Sequence, residues 1–308
     1  MHIKNMDLAK IAVIIPIHNR KEKTIRCLES LSKIDKSNFS MSIYIIDDGS
    51  TDDTALEIKK KFYGTKIIMG NGNLLWTGAI NLGIREVIKD NTFTHILFLN
   101  DDTIHDKYFL SKMCNCSMRN KKAIIGAKIL YLSKPDIIRF SGGRWDFKKW
   151  GWYYPNENEY IDISNDHLGE FITEMINGNC CLYPINMFIE NGFLDQINFP
   201  HYYADCAYTI KAKKYGYTLY IANAYIWDDD SDNTKHIDSL QYKDIRSIKN
   251  IFFKKNSPYY FKGLFMWYFL YSKSKLQGLI IFFYKYLRII FRLIYQSLKL
   301  FNKKVNGF

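Results

Sequence analysis

Up to about Ile104 the chain alternates short β-branched and aliphatic runs with stretches whose apolar positions recur every three or four residues. The runs Ile11–Ile17, Ser42–Ile46, Lys66–Met69 and His95–Leu99 predict strands. Between them, Lys21–Ile34, Thr54–Phe62 and Gly78–Lys89 predict helices, the first with Ile25, Leu28, Leu31 and Ile34 on a single stripe. Strands that are apolar on both faces belong inside a sheet covered by helices. The alternation itself is the sequence form of a parallel sheet with crossover helices, an α/β Rossmann-like sandwich.

Beyond Ile104 the alternation becomes irregular. Ser141-Gly142-Gly143, an aromatic stretch from Trp145 to Tyr154, and Asn177-Gly178-Asn179 follow one another with no Pro-, Gly- or Ser-rich linker. Residues 105–240 are therefore read as the second half of a domain that begins at residue 1. The one sharp change of composition falls near Gln241. From there to Phe308 the chain holds fourteen Lys and Arg against the single acid Asp244. The whole-chain charge of +12 thus resides in this tail, residues 1–240 being close to neutral, which disfavours a nucleic-acid groove in the main domain. None of the six cysteines shows the C-x-x-C spacing of zinc or redox sites, so a reducing, cytoplasmic setting is expected. No stretch reaches the roughly 18 uncharged apolar residues that a membrane-spanning helix needs.

In open α/β sheets, ligands gather outside the carboxyl ends of the strands. Three predicted strands end in polar runs: Pro16-Ile17-His18-Asn19-Arg20, Asp47-Asp48-Gly49-Ser50-Thr51-Asp52, and Asn100-Asp101-Asp102. Carboxylates collected at one edge repel one another unless a cation sits among them, and a divalent ion bridging a diphosphate meets that need. These runs, with Asn71-Gly72-Asn73, Trp76, Ala79–Gly83, Gly192-Phe193-Leu194-Asp195 and Tyr202-Tyr203-Ala204-Asp205, occur in an order that resembles the family 2 glycosyltransferases of the GT-A fold, in particular bacterial rhamnosyltransferase-like members. The resemblance covers roughly residues 11 to 230. It implies a GT-A architecture: a Rossmann-like mixed central sheet with helices on both faces, residues 1–104 binding the nucleotide sugar and 105–240 facing the acceptor.

The resemblance also implies roles. Pro16, His18, Asn19 and Arg20 would line the nucleotide pocket, and Asp48 would accept a hydrogen from the base. Asn73, Trp76, Asn81, Asn100 and Asp101 would complete the donor site. Asp102 would hold Mn²⁺ or Mg²⁺, and Asp205 would act as the single general base of an inverting displacement. Asp52 is read instead as a cap for the helix near Thr54. The chain departs from the family pattern at Ala204 and Ala207, where acids are common, and at Ile80, where many relatives carry Arg. It departs again at Asp228, where a metal-binding His is frequent. Asp228 could serve as that ligand or belong to a solvated acidic loop, and His236 is a weaker candidate. His18, His95, His105, His167 and His201 have no catalytic signature of their own.

In the tail, Lys285, Arg288, Arg292 and Lys299 recur at helical spacing, with Leu276, Ile280, Phe283, Leu287, Phe291 and Ile294 over much of the remaining circumference. Such a basic amphipathic helix suits the anionic inner face of a membrane, and its alternative is packing on the catalytic domain or on a second subunit of a homodimer. The expected partners are a nucleotide-sugar donor and a glycan or lipid-linked oligosaccharide acceptor in cell-surface polysaccharide assembly. A sugar-phosphate nucleotidyltransferase would want a Gly-rich, Arg-containing first loop, which His18-Asn19-Arg20 does not supply. A sugar-binding relative without activity is the reading that Ala204 and Ala207 motivate.

Overall fold

The computed structural model describes residues 8–231 and 245–305, with side chains over 8–231 and 249–295. The first half follows the predicted alternation: β1 (Ala9–Ile17), α1 (Lys21–Ser32), β2 (Phe39–Asp47), α2 (Thr54–Lys61), β3 (Lys66–Met69), α3 (Leu75–Ile88) and β4 (His95–Leu99). β5 (Thr103–His105), α4 (Phe109–Arg119), β6 (Ala123–Tyr131), β7 (Ile138–Phe140), β8 (Arg144–Asp146) and β9 (Gly151–Tyr153) come next. They are followed by β10 (Phe171–Ile172), β11 (Cys180–Pro184), α5 (Asn186–Asn191), α6 (Ala204–Ala212) and β12 (Thr218–Asp228). After the undescribed stretch come α7 (Ile245–Phe253), α8 (Phe261–Tyr271) and α9 (Lys275–Val305).

One mixed sheet carries the fold, in the order β10-β12-β6-β11-β4-β1-β2-β3, with β5 on β12 and β7 on β6. β1 runs parallel to both β2 and β4, as a chain of crossover helices requires. β11 is antiparallel to β4 and to β6, so β6 and its parallel neighbour β12 point the same way as β4. This geometry places the functional edge. The carboxyl ends of β1, β2, β4, β6 and β12 lie along one side of the sheet, and the antiparallel β11 begins there, Cys180 facing Leu99. The residues just before β11, Gly178 and Asn179, are thereby brought beside Asn100, whose N–H donates to the Asn179 carbonyl at 3.0 Å.

The strands after residue 105 were not legible as such, and the structure shows why they hold. β6 is buried along nearly its whole length yet contains Lys128, fully buried. Its ammonium ion is satisfied by Asp166 and by the Gly169 carbonyl, at 2.7 Å to the latter. A buried charge needs such a partner, since isolation would cost several kcal/mol or more.

The tail is packed on this body. Leu264, Trp267, Ile281 and Phe282 join the same apolar core as the sheet. Trp150 stacks on Tyr284 at 4.0 Å between ring centroids, Tyr203 on Trp267 at 5.3 Å, and the Trp152 indole donates to the Tyr271 carbonyl at 2.9 Å. The opposite side of α9 exposes Leu276, Ile280, Phe283, Leu287, Phe291 and Ile294. Arg288 and Arg292 are exposed and Lys285 is half-buried, while the Lys299 side chain lies outside the described residues. No helix among the described residues is long and apolar enough to cross a membrane.

Candidate active site

Along the carboxyl edge of the sheet lies a cleft of about 930 Å³. One wall is built by the first half of the chain: Pro16, His18 and Arg20 after β1, Asp48 after β2, Gly72 and Trp76 around the start of α3, and Asn100, Asp101 and Asp102 after β4. The other wall contains Tyr131, Arg139, Tyr154, Glu157, Asn179, Tyr202, Tyr203, Asp205 and Asp228, with Pro258 and Tyr259 from the tail.

The acidic turn after β4 is tightly constrained. Arg20 spans it, with Nη1 3.0 Å from Asp101 Oδ1 and Nη2 2.7 Å from Asp102 Oδ2. Thr24 in α1 adds a hydrogen bond to the other Asp101 oxygen at 3.2 Å. Burial pushes the Asp101 carboxyl above its ordinary range, the Arg20 guanidinium opposes that shift, and the neighbouring Asp102 charge reinforces it. Asp102 differs in one respect: its Oδ1 is buried and has no hydrogen-bond partner among the described residues. Orphaned buried carboxylate oxygens are rare in folded proteins; of the two among the described residues, Asp47 Oδ2 and Asp102 Oδ1, it is Asp102 that lines the cleft. Asn100, in place of a first acid, accepts from the Trp76 indole at 3.0 Å and so fixes that ring across the cleft.

Asp228 reaches the same region from β12, where it is the register partner of Thr103, the residue after Asp102. Its Oδ2 accepts from Asn179 Nδ2 at 2.9 Å and lies 3.1 Å from Arg139 Nη1. The following acids have local partners. Asp229 is paired with Lys23 and Arg26, and Asp230 accepts from the Ser133 hydroxyl. Among the described residues no three His, Cys, Asp or Glu side chains form a complete metal cage. A hard divalent cation held by one or two carboxylates, with phosphate oxygens and water completing its shell, needs no such cage. The Asp102 Oδ1 atom fits that kind of site.

Asp205 lies in the first turn of α6, where helix N–H groups favour a negative charge. Its Oδ2 accepts from the Gly178 N–H at 2.6 Å. That close approach requires glycine, because a Cβ on residue 178 would stand 2.6 Å from the Trp76 ring and 3.0 Å from the Asp205 Cβ. Trp76, Gly178 and Asp205 are thus mutually packed, which ties Asp205 to the wall built by the first half of the chain.

Other residues expected in the donor site have structural partners instead. Asp48 lines the cleft, but its two oxygens accept from the backbone N–H groups of Gly72, Leu74 and Leu75 at 2.8, 2.8 and 3.1 Å. It therefore shapes the loop before α3, and of a carboxylate's roughly four acceptor positions one is left over. Asn19 does not line the cleft; its Oδ1 accepts from Thr51 and its N–H donates to Ser50, joining the loops after β1 and β2. Asn73 is exposed and bonded to Asn71. Asn81 is buried away from the cleft, its amide latched to the Leu194 N–H and carbonyl and to Gln196. Asp52, one residue before the N-cap position Asp53, accepts from the Thr54 N–H and hydroxyl at the start of α2. His18 and His201 line the cleft, the former with Nδ1 2.7 Å from the Asp48 carbonyl. Burial pushes His95 and His105 down to about 4 and about 3, in keeping with structural histidines. His236 lies outside the described residues.

A sheet with this order and an acidic turn after its fourth strand defines the GT-A class of glycosyltransferase. The fold is shared with GalNAc-T7 solved with UDP, GalNAc and Mn²⁺ (TM-score 0.59, 15% identity, 73% of this chain and 44% of that one). It is shared with S. aureus TarS 1-349 in complex with UDP-GlcNAc (TM-score 0.55, 14% identity, 89% and 70%). It is shared too with the mannosyltransferase PcManGT from Pyrobaculum calidifontis in complex with GDP-Man and Mn²⁺ (TM-score 0.52, 11% identity, 74% and 59%). The chain thus spans less than two thirds of the length of GalNAc-T7 and of PcManGT. No curated protein matches it by sequence. The profile of glycosyl transferase family 2 matches residues 12–179, more than half of the chain, and the protein belongs to that family.

Proposed function

We propose that this glycosyltransferase moves a sugar, with inversion, from a nucleoside-diphosphate donor to a hydroxyl of a glycan or lipid-linked oligosaccharide, in the assembly of a cell-surface polysaccharide. The observation that carries the reading is the buried Oδ1 of Asp102, without a hydrogen-bond partner among the described residues, in the same cleft as Asp205. Asp102, with Asp228 close by, would hold Mn²⁺ or Mg²⁺, which when bound neutralises charge on the departing diphosphate. Arg20 holds the Asp101–Asp102 turn rigid while that happens, and Trp76 and His18 bound the donor. The remaining acceptor position on Asp48 suits the N3–H of uracil or thymine, so dTDP-rhamnose and UDP-hexoses are the donors of choice. Asp205 removes the acceptor proton as the hydroxyl oxygen attacks the anomeric carbon.

A thermal-shift screen of dTDP-, UDP- and GDP-sugars with and without Mn²⁺ tests this. A ligand that binds only the folded state raises Tm as its concentration exceeds Kd, and one donor should do so by several degrees, more with Mn²⁺. A screen in which no nucleotide diphosphate stabilises the protein would defeat the proposal.

The exposed apolar face of α9, bordered by Arg288 and Arg292, supports a second element: peripheral attachment to the anionic inner face of the cell membrane, where a lipid-linked acceptor would lie. The protein should float with phosphatidylglycerol vesicles and not with phosphatidylcholine ones, and Phe283→Glu/Phe291→Glu should abolish flotation. Equal recovery with both lipids, or no effect of the double substitution, would remove the membrane assignment.

A further inference from the structure

We propose that Arg139 is a second, protein-borne cation for the donor's diphosphate, an assignment that rests on the nucleoside-diphosphate reading above. Arg139 is the middle residue of the short strand β7 and lines the cleft. Two features fix it. Its guanidinium lies over the Tyr131 ring, 5.5 Å from the centroid, and its Nη1 stands 3.1 Å from Asp228 Oδ2. Tyr131 and Asp228 are themselves register partners on β6 and β12, so neighbouring positions on one pair of strands hold the guanidinium.

The pairing leaves much of the guanidinium's capacity unused. A guanidinium presents five N–H donors in a planar fork. Although Nη1 lies at ion-pair distance from Asp228, it is buried and makes no hydrogen bond among the described residues. Asp228 does not depend on it alone, since Asn179 donates to the same oxygen. Arg20, the other arginine lining the cleft among the described residues, has both terminal nitrogens engaged by Asp101 and Asp102. A diphosphate placed against Asp102 would bring further negative charge into an acidic cleft. Arg139 is the arginine there with donors to spare, and the fork geometry matches phosphate oxygens.

Binding without turnover tests the assignment. UDP, dTDP and GDP, their monophosphates and inorganic pyrophosphate would be titrated into the wild-type protein, Arg139→Gln and Arg139→Lys, with Mn²⁺ and in EDTA. Charge-assisted hydrogen bonds of this kind correspond to roughly tenfold or more in affinity. The expected result is a loss of that size for the preferred nucleoside diphosphate and for pyrophosphate in Arg139→Gln, an affinity for the monophosphate unchanged within about twofold, and partial recovery in Arg139→Lys. Arg139→Gln/Asp228→Asn, which leaves no unpaired charge, should show the same loss in EDTA. Recovery of diphosphate affinity in that double variant would mean that Arg139 only neutralises Asp228. Equal weakening of mono- and diphosphate, or no weakening, would likewise overturn the proposal. A wild-type protein that binds none of the diphosphates would instead defeat the donor reading, and this inference with it.

Discussion

Asp102→Asn should abolish the effect of Mn²⁺ on donor binding and lower kcat/KM for donor consumption by about a thousandfold. The size follows from the several kcal/mol that a metal ion contributes to neutralising a departing phosphate, at about 1.4 kcal/mol per tenfold. The substitution is close to isosteric and keeps an oxygen for Arg20 to hold. It also removes one of two adjacent carboxylates, so the fold should tolerate it. What disappears is the charge on a buried carboxylate oxygen of the cleft that no hydrogen bond among the described residues satisfies. Activity within a few-fold of wild type, still responsive to Mn²⁺, would show that the ion binds elsewhere or is not used.

Asp205→Asn should produce the complementary phenotype. Donor affinity and its metal response stay unchanged, while transfer falls by roughly 10²- to 10⁴-fold, the range associated with loss of a general base. The amide still accepts from the Gly178 N–H, so the packing of Trp76, Gly178 and residue 205 is preserved. Glu157 lies on the same wall of the cleft as Asp205 and provides the control. If Glu157→Gln stopped transfer and Asp205→Asn did not, the base would be Glu157. The absence of further acids at Ala204 and Ala207 gives these variants a simple interpretation, because both positions are buried alanines with no proton to move.

The two halves of the chain differed in how much their sequence disclosed. Strands β1 to β4 and helices α1 to α3 lie within a few residues of the expected bounds, β3 and β4 coinciding with them. Their signals are local: an apolar run, then a turn with its own chemistry. β6 and β12 were invisible because their integrity depends on distant partners. Lys128 interrupts β6 as a charge, and Asp166, which neutralises it, lies 38 residues away. β12 is broken by a register shift between Ile221 and Tyr225. Arg139 escaped notice for the same reason, since its partner Asp228 belongs to another strand. Conversely, Asn19, Asn73 and Asn81 lie in or beside the motifs that form the cleft, yet Asn19 ties two loops together, Asn73 bonds to Asn71 within its own loop, and Asn81 latches α3 to Leu194 and Gln196. An Asn that joins two loops and an Asn that binds a ligand look alike in sequence, and only the direction of the side chain separates them.

The tail also turned out to be more closely joined to the site than a change of composition suggests. Pro258 and Tyr259 form part of the cleft wall, and the Pro258 carbonyl accepts from the Tyr203 hydroxyl at 2.8 Å, two residues from Asp205. A helix that meets a lipid surface would therefore be in direct register with the acceptor side of the cleft.

The most direct test of the whole account is the position of the metal. Crystals grown with Mn²⁺ and the preferred nucleoside diphosphate should show a single strong anomalous peak in the cleft, with Asp102 Oδ1 and diphosphate oxygens in its coordination shell. A nucleotide bound with its phosphates away from Asp102, or a manganese ion that leaves Asp102 Oδ1 uncoordinated, would contradict it.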